Sequence, residues 1–225
     1  FGTCPQYIQT RDFSWVHDPR KPDHGQLETL NDLDDDARAM LTQADTFFVA
    51  SYVDLPDGIR QVDVSHRGGK TGFVKINGNR LSIPDFAGNL HFNTLGNLLL
   101  NPKAGLLFIE FKNGDVLQLT GTTEIQLEGF EIDSFQGAER IWHLDVRQVV
   151  HRRNLLKLRW RFNEFSPNTL ITGSWQEVLA RQNAEALRQN WRPFRVTKVE
   201  NESSTIRSFY LEPADGHAMP LYHAG

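Results

Sequence analysis

Charged and hydroxyl side chains surround a cluster of glycines in the segment SHRGGKTGFVK. The side chains that could do chemistry there are Ser65, His66, Arg67, Lys70 and Lys75. Cationic groups form charge-assisted hydrogen bonds to phosphate oxygens, and the backbone N–H groups of a glycine-rich turn can make a concave anion site. The segment therefore indicates a phosphate site at the end of a strand. A solvated basic turn is the competing interpretation of the same residues.

A second segment that favours anions follows in DFAGNLHFNTLGN. It places Asn89, Asn93 and Thr94 at the start of a predicted short helix, and the N-terminus of a helix attracts negative charge. Taken alone, these residues also fit ordinary helix caps. Because a single hairpin joins the two segments, we interpret them together as a two-part phosphate site.

The common nucleotide-binding and catalytic motifs are missing from the sequence. The run GGKTG matches the end of a P-loop, but the glycine required before it falls at Val64 and no long helix is predicted after it. There is no GxGxxG for a Rossmann site, no GxSxG for a nucleophilic serine and no HExxH for a metal. These absences disfavour ATP or GTP hydrolysis, hydrolase chemistry and metal catalysis.

Composition excludes several classes of partner. The 225 residues carry a formal net charge of −4, which provides no broad cationic surface, so neither nucleic acid nor a membrane is expected as a partner. No apolar run approaches the roughly 20 residues that cross a bilayer.

The single cysteine, Cys4, excludes an internal disulfide and suits a cytoplasmic protein. Because the chain begins at Phe1 and not at Met, we interpret it as a piece of a longer protein.

The predicted elements indicate a mainly β fold with a few helices. From Thr46 onward, runs rich in β-branched and aromatic residues alternate with tight turns. The pairs Asp57-Gly58, Asn77-Gly78 and Asn113-Gly114 are hairpin signals, because they tolerate positive φ. Short strands joined in this way predict an antiparallel barrel or sandwich.

Three helices interrupt or follow the predicted strands. One lies within NDLDDDARAMLTQA, and a second, NTLGNLLL, must stop before Asn101-Pro102. The third follows Ser174, which forms a capping box with Glu177. The last two predicted strands are FRVTKVE and TIRSFYLEP.

The run from Ala44 to Thr123 resembles a known family. The segments SHRGGKTGFVK, PDFAGNLHFNTLGNLLLNPKAGLLFIEF and LQLTGTTE are similar to the pyridoxamine 5′-phosphate oxidase-like FMN-binding split barrels, and EFSPNTLITGSW continues the likeness. The match is close to a subgroup found in multidomain flavin oxidoreductases. The resemblance implies an antiparallel FMN-binding split β-barrel and a homodimer with the flavin at its interface.

The resemblance also implies which residues bind the cofactor. Arg67, Lys70 and Lys75 take the positions of the strand-side phosphate ligands. Phe92, Asn93 and Thr94 stand where authentic pyridoxamine-phosphate oxidases carry a Ser-Arg-Lys triplet, so two cations are lost and the vitamin B6 reaction is not expected. The full predicted cofactor-binding set is Ser65, His66, Arg67, Lys70, Phe73, Lys75, Asn89, Phe92, Asn93, Thr94 and Asn97. No catalytic side chain and no metal site are assigned.

The resemblance divides the chain into three parts. Residues 1–26 form the tail of a preceding domain or a linker, residues 27–192 form the FMN-binding split barrel with a C-terminal helix, and residues 193–225 form the first strands of a ferredoxin-reductase-type FAD domain. FAD and NAD(P)H are therefore expected only beyond this chain. The protein is interpreted as a flavin-dependent oxidoreductase that relays electrons from NAD(P)H, with a small-molecule or protein electron donor or acceptor. Two alternatives stay open, namely a non-catalytic flavin- or haem-binding module and a truncated structural piece.

Overall fold

The computed structural model describes residues 6–16, 25–88, 91–189 and 191–219. By its internal contacts the chain divides into two compact units, Phe1–Leu179 and Ala180–Gly225. Among the described residues, no helix combines the length and apolar character needed to span a membrane.

Antiparallel strands make up most of the first unit. The strands are β1 (Thr10–Trp15), β2 (Gln26–Leu30), β3 (Thr46–Asp54), β4 (Arg60–Gly68), β5 (Lys75–Asn77), β6 (Arg80–Phe86), β7 (Lys103–Glu110), β8 (Asp115–Gln126), β9 (Ala138–Arg153) and β10 (Leu158–Glu164). The helices are α1 (Asp35–Gln43), α2 (Asn93–Leu100), α3 (Phe130–Ser134), α4 (Pro167–Leu170) and the start of α5 (Trp175–Gln189). All three predicted helices are present.

The main sheet is strongly curled. Its described strands run in the order β4-β3-β7-β8-β9-β6-β5, and β2 pairs with β9. Although β7 and β8 lie between β3 and β9, the rings of Phe47 on β3 and Trp142 on β9 approach to 6.3 Å between centroids. Arg67 on β4 likewise forms an ion pair with Asp85 on β6, near the other end of the path. The sheet therefore turns back on itself, and the predicted fold class, an antiparallel split β-barrel with a few helices, is confirmed.

Aromatic side chains fill the interior of the barrel. The ring of Phe47 stacks on Phe108 and Phe73, with centroids 4.9 and 5.8 Å apart, and these side chains are fully buried. Alternation along β3 places Phe47 and Val49 inside, since successive residues of a strand point to opposite faces. The indole Nε1 of Trp175 donates a 2.9 Å hydrogen bond to the carbonyl of Phe73, which fixes the start of α5 on the barrel.

The described residues before β2, numbers 6–16, pack against other parts of the first unit. β1 pairs with β10 in a separate two-stranded sheet. The buried Gln9 side chain donates to the hydroxyl of Thr169 at 3.1 Å and accepts from the backbone N–H of Ser166 at 2.9 Å. These contacts hold residues 8–16 beside the short helix α4.

The predicted capping box and the last two predicted strands are confirmed, and these strands pair with each other, a pairing that was not predicted. The backbone N–H of Ser174 donates to Glu177 at 2.8 Å, and the N–H of Glu177 donates to the Ser174 hydroxyl at 3.3 Å, so the capping box forms. In the second unit, β11 (Phe194–Asn201) pairs with β12 (Arg207–Pro213) as an antiparallel hairpin. The assignment of this hairpin to an FAD domain stays a prediction.

Candidate functional site

A cavity of about 630 Å³ lies beside β4, the start of α2, β6 and the beginning of β9. Seven predicted site residues line it: Ser65, His66, Arg67, Phe73, Phe92, Asn93 and Thr94. The volume falls within the roughly 300–1,000 Å³ typical of small-molecule sites. The curl of the sheet thus brings the two segments singled out in the sequence to one place.

One wall of the cavity carries two guanidinium groups that share one buried carboxylate. Asp85 is only 4% exposed, and it accepts hydrogen bonds from Arg67 and, at 2.8 Å, from Arg140. Burial raises the pKa of Asp85 above its ordinary value, and the two guanidiniums act in the opposite direction. Arg140 also donates at 2.6 Å to the exposed carboxylate of Glu139, which lines the cavity too. The two guanidiniums therefore offer N–H donors to an anionic ligand, while Glu139 offsets the one positive charge that they carry beyond Asp85. We call Arg67, Asp85 and Arg140 the charged triad.

One nitrogen atom of the triad and one beside it lack hydrogen-bond partners among the described residues. They are Nε of Arg67 and Nε2 of His66, and both are buried. Burial lowers the pKa of His66, and the positive charge of Arg67 beside it acts in the same direction. The His66 ring is therefore uncharged at neutral pH. Buried polar atoms without partners are rare in folded proteins and often mark a place where a ligand or an ion completes the structure.

Farther along β4 and at the start of α2, the cavity carries hydroxyl groups and a carboxylate. The Thr94 hydroxyl donates to the carboxylate of Asp63, and the hydroxyls of Thr94 and Ser65 lie 2.8 Å apart. Because the Thr94 hydroxyl donates its hydrogen to Asp63, the Thr94 oxygen accepts a hydrogen bond from the Ser65 hydroxyl. No side chain caps the start of α2. The Asp63 carboxylate and the two hydroxyl oxygens therefore suit hydroxyl donors of a ligand, whereas the uncapped start of α2 offers backbone N–H donors.

Four predicted residues lie elsewhere or cannot be placed. Lys75 donates to Glu131 at 2.8 Å, and the side-chain amide of Asn97 donates to the Ser51 hydroxyl at 3.2 Å. Neither lines the cavity, and Lys70 does not line it either. Asn89 lies outside the described residues.

Packing explains two of the glycines in the first segment. A Cβ on Gly68 would stand 2.0 Å from the carbonyl oxygen of Tyr7, and a Cβ on Gly69 would meet the Phe73 ring at 2.5 Å. Tyr7 itself has a φ of 61°, and its hydroxyl donates to the carbonyl of Ala87 at 2.9 Å. The absence of side chains at these glycines therefore lets the N-terminal segment cross the end of β4 at the rim of the cavity.

Sequence reasoning missed four charged residues of the site, namely Asp63, Asp85, Glu139 and Arg140. Asp85 and Arg140 face each other in the register of β6 and β9, and Asp63 lies on β4 two residues before Ser65. Arg140 belongs to no motif, and Asp85, although it begins the second segment, was not among the predicted site residues. Only the pairing of strands that are distant in sequence identifies them, although the charge of Asp63 could have been noted beside the hydroxyl of Ser65.

Comparison with known proteins gives limited likenesses. No protein-family model matches the chain. A 35-residue stretch is 63% identical to the flavohemoprotein of Chromobacterium violaceum, which covers 16% of the chain. The chain spans only 9% of the length of that curated relative.

Two solved structures resemble part of the chain. HupZ of Group A Streptococcus is 16% identical with a TM-score of 0.40, and the alignment covers 52% of this chain and 98% of HupZ. A protein of the pyridoxinephosphate oxidase family from Clostridium acetobutylicum, related to general stress protein 26, is 14% identical with a TM-score of 0.37. That alignment covers 56% of this chain and 92% of the other.

Proposed function

We propose that the first unit binds FMN in the cavity beside the charged triad and serves as the FMN module of a flavin-dependent oxidoreductase. The observation that carries the proposal is the pair of guanidiniums, Arg67 and Arg140, that share the single buried carboxylate of Asp85 on the cavity wall. A phosphate monoester carries enough negative charge to engage both guanidiniums, and planar guanidiniums suit bidentate bonds to phosphate oxygens.

The other residues of the cavity fit the rest of the cofactor. Asp63, Thr94 and Ser65 offer oxygen acceptors to the hydroxyls of a ribityl chain. Phe92 lies under the Arg140 guanidinium, with 5.0 Å from Cζ to the ring centroid, and its half-exposed ring offers an apolar surface to a flat ligand. The unpartnered nitrogens of Arg67 and His66 are further places for polar contacts.

When bound, a flavin supplies the hydride and electron transfer, so the chain's own residues have to bind it, orient it and control its surroundings. The uncharged ring of His66 adds no positive charge to the cavity. The cation-poor run Phe92 to Thr94 argues against the vitamin B6 reaction of an authentic pyridoxamine-phosphate oxidase.

We extend the proposal to the whole protein. Residues 27–192 would form the FMN module and 193–225 the start of an FAD domain, so that electrons pass from NAD(P)H through FAD to FMN and on to a small-molecule or protein acceptor. The 35-residue alignment to a flavohemoprotein supports a flavin-related function for the whole protein. The single cysteine suits a cytoplasmic location.

The direct test is to titrate FMN and riboflavin, which differ only in the phosphate, into the purified protein and to follow flavin fluorescence. We expect FMN to bind roughly 10²- to 10⁴-fold more tightly than riboflavin, because the phosphate engages two guanidiniums and the charge-assisted hydrogen bonds of each contribute about 1.5–3 kcal/mol. Failure to bind FMN, or equal affinity for both flavins, would contradict the proposal.

The competing function is a flavin- or haem-binding module without turnover. Its supporting observation is that two imidazoles, His66 and His91, line the cavity. Titration with haemin, followed by its visible absorption, separates the two functions. Tight haemin binding that excludes FMN would favour the competing one.

We also propose that the protein is a homodimer whose interface lies beside the cavity. Large apolar side chains are exposed on the elements that flank it, among them Val64 on β4 and Leu100 on α2, and exposed apolar patches commonly mark interfaces. Sedimentation of the FMN-loaded protein is expected to give a dimer, which Leu100→Lys should convert to a monomer. The matched change at exposed Leu127 should leave the dimer intact, and a flavin-loaded wild-type monomer would contradict the interface.

A further inference from the structure

A second cavity of about 380 Å³ lies between the β1–β10 sheet, the end of β7 and the end of α1. Its lining includes four aromatic rings, those of Phe111, Trp160, Phe162 and Phe165, together with Met40 and Ile109. It shares no lining residue with the cavity beside the charged triad. The proposed FMN site therefore leaves it unused.

The four rings form two edge-to-face pairs. Phe111 and Trp160 have centroids 5.4 Å apart with an interplanar angle of 80°, and Phe162 and Phe165 are 4.9 Å apart at 61°. Aromatic pairs prefer such geometry, and the ring faces and edges left over can receive a further flat ring in the same way.

The charges around this cavity are already compensated. Arg11 donates to both oxygens of Asp45, at 2.7 and 2.5 Å, and the two side chains are only 11% and 9% exposed. The Arg11 guanidinium also lies 3.9 Å above the centroid of the Phe111 ring. The remaining charged residues of the lining, Glu110 and Lys112, have opposite signs. The four charges of the lining sum to zero, so a charged ligand would lose its hydration without entering a site of net opposite charge.

We propose that this cavity is a second ligand site, which takes an uncharged planar aromatic molecule of two or three fused rings. An apolar cavity of about 150 Å³ holds benzene, so the larger volume has room for a fused system. Phe13 and Trp15 continue the aromatic surface outside the cavity, because they lie opposite Trp160 and Leu158 in the β1–β10 register and are largely exposed.

The test uses 2-naphthol as the uncharged probe and 2-naphthoate as its charged counterpart, with binding to the whole chain measured by calorimetry. We expect 2-naphthol to bind and 2-naphthoate to bind at least about tenfold more weakly, since the carboxylate must be desolvated. The variant Phe162→Ala is expected to weaken 2-naphthol binding by about tenfold, because it removes one of the ring contacts. Phe162 is 44% exposed, so its truncation costs the fold little.

The matched control is Phe13→Ala, a ring on the same small sheet that is 64% exposed and does not line the cavity. It should leave 2-naphthol affinity unchanged, and saturating FMN should not displace the probe. Wild-type protein that binds neither probe would overturn the proposal. Equal losses in the two alanine variants, or displacement of 2-naphthol by FMN, would overturn it as well.

Discussion

Neutralising the whole charged triad, by Arg67→Gln, Asp85→Asn and Arg140→Gln together, is expected to weaken FMN binding by roughly 10²- to 10⁴-fold. The estimate assigns about 1.5–3 kcal/mol to the charge-assisted hydrogen bonds of each guanidinium. Riboflavin has no phosphate, so its affinity should stay nearly unchanged. The measurement is the pair of fluorescence titrations proposed above, repeated on the variant.

The triple substitution is preferable to the loss of either arginine alone. It removes the three charges at once, so no buried ion is left without its partner, and such a replacement is often close to neutral for stability. A control with Arg60→Gln and Arg147→Gln removes two exposed arginines from the same strands, β4 and β9. If the triple variant bound FMN with wild-type affinity, the phosphate would have to lie elsewhere.

Replacing Asp85 alone by alanine is expected to lower the free energy of unfolding by about 3 kcal/mol. Removing one partner of a buried ion pair typically costs 3–5 kcal/mol, and the side chains of Arg67 and Arg140 keep 22% and 19% exposure, which places the effect at the lower end. Urea denaturation checks the value. Inorganic phosphate should stabilise this variant more than the wild type, because an anion that binds the folded state shifts the equilibrium by mass action.

The matched control for this change is Asp54→Ala. Asp54 pairs with Arg60 in an exposed ion pair whose side chains are 55% and 58% exposed, and such pairs contribute at most about 1 kcal/mol. Equal stability losses at Asp54 and Asp85 would show that the triad does not hold the cavity wall together.

Local signals in the sequence were sufficient to predict a mainly antiparallel β fold with a few helices. The β-branched runs after Thr46, the hairpin turns and the capping box at Ser174 depend on neighbours within a few residues, and the structure has each of them. The split barrel itself was expected only through the resemblance.

The site was predictable only in part, because it depends on contacts between distant strands. Arg67 and Asp85 come from β4 and β6, and Arg140 comes from β9 much later in the chain, so no spacing rule connects them. The glycines at 68 and 69 were interpreted as a phosphate-binding turn, whereas close packing against Tyr7 and Phe73 accounts for them. Composition alone cannot distinguish a backbone that approaches a ligand from one that approaches another part of its own chain.

The edge of the sheet at β4 meets β6 in a different way from the other strand contacts. Main-chain hydrogen bonds join the neighbouring strands of the sheet order, but β4 stands at one end of that order and meets β6 through the side chains of Arg67 and Asp85. The proposed FMN cavity lies along this seam. Because side chains join β4 and β6 at this seam, a ligand that binds between these strands breaks no main-chain hydrogen bond of the sheet.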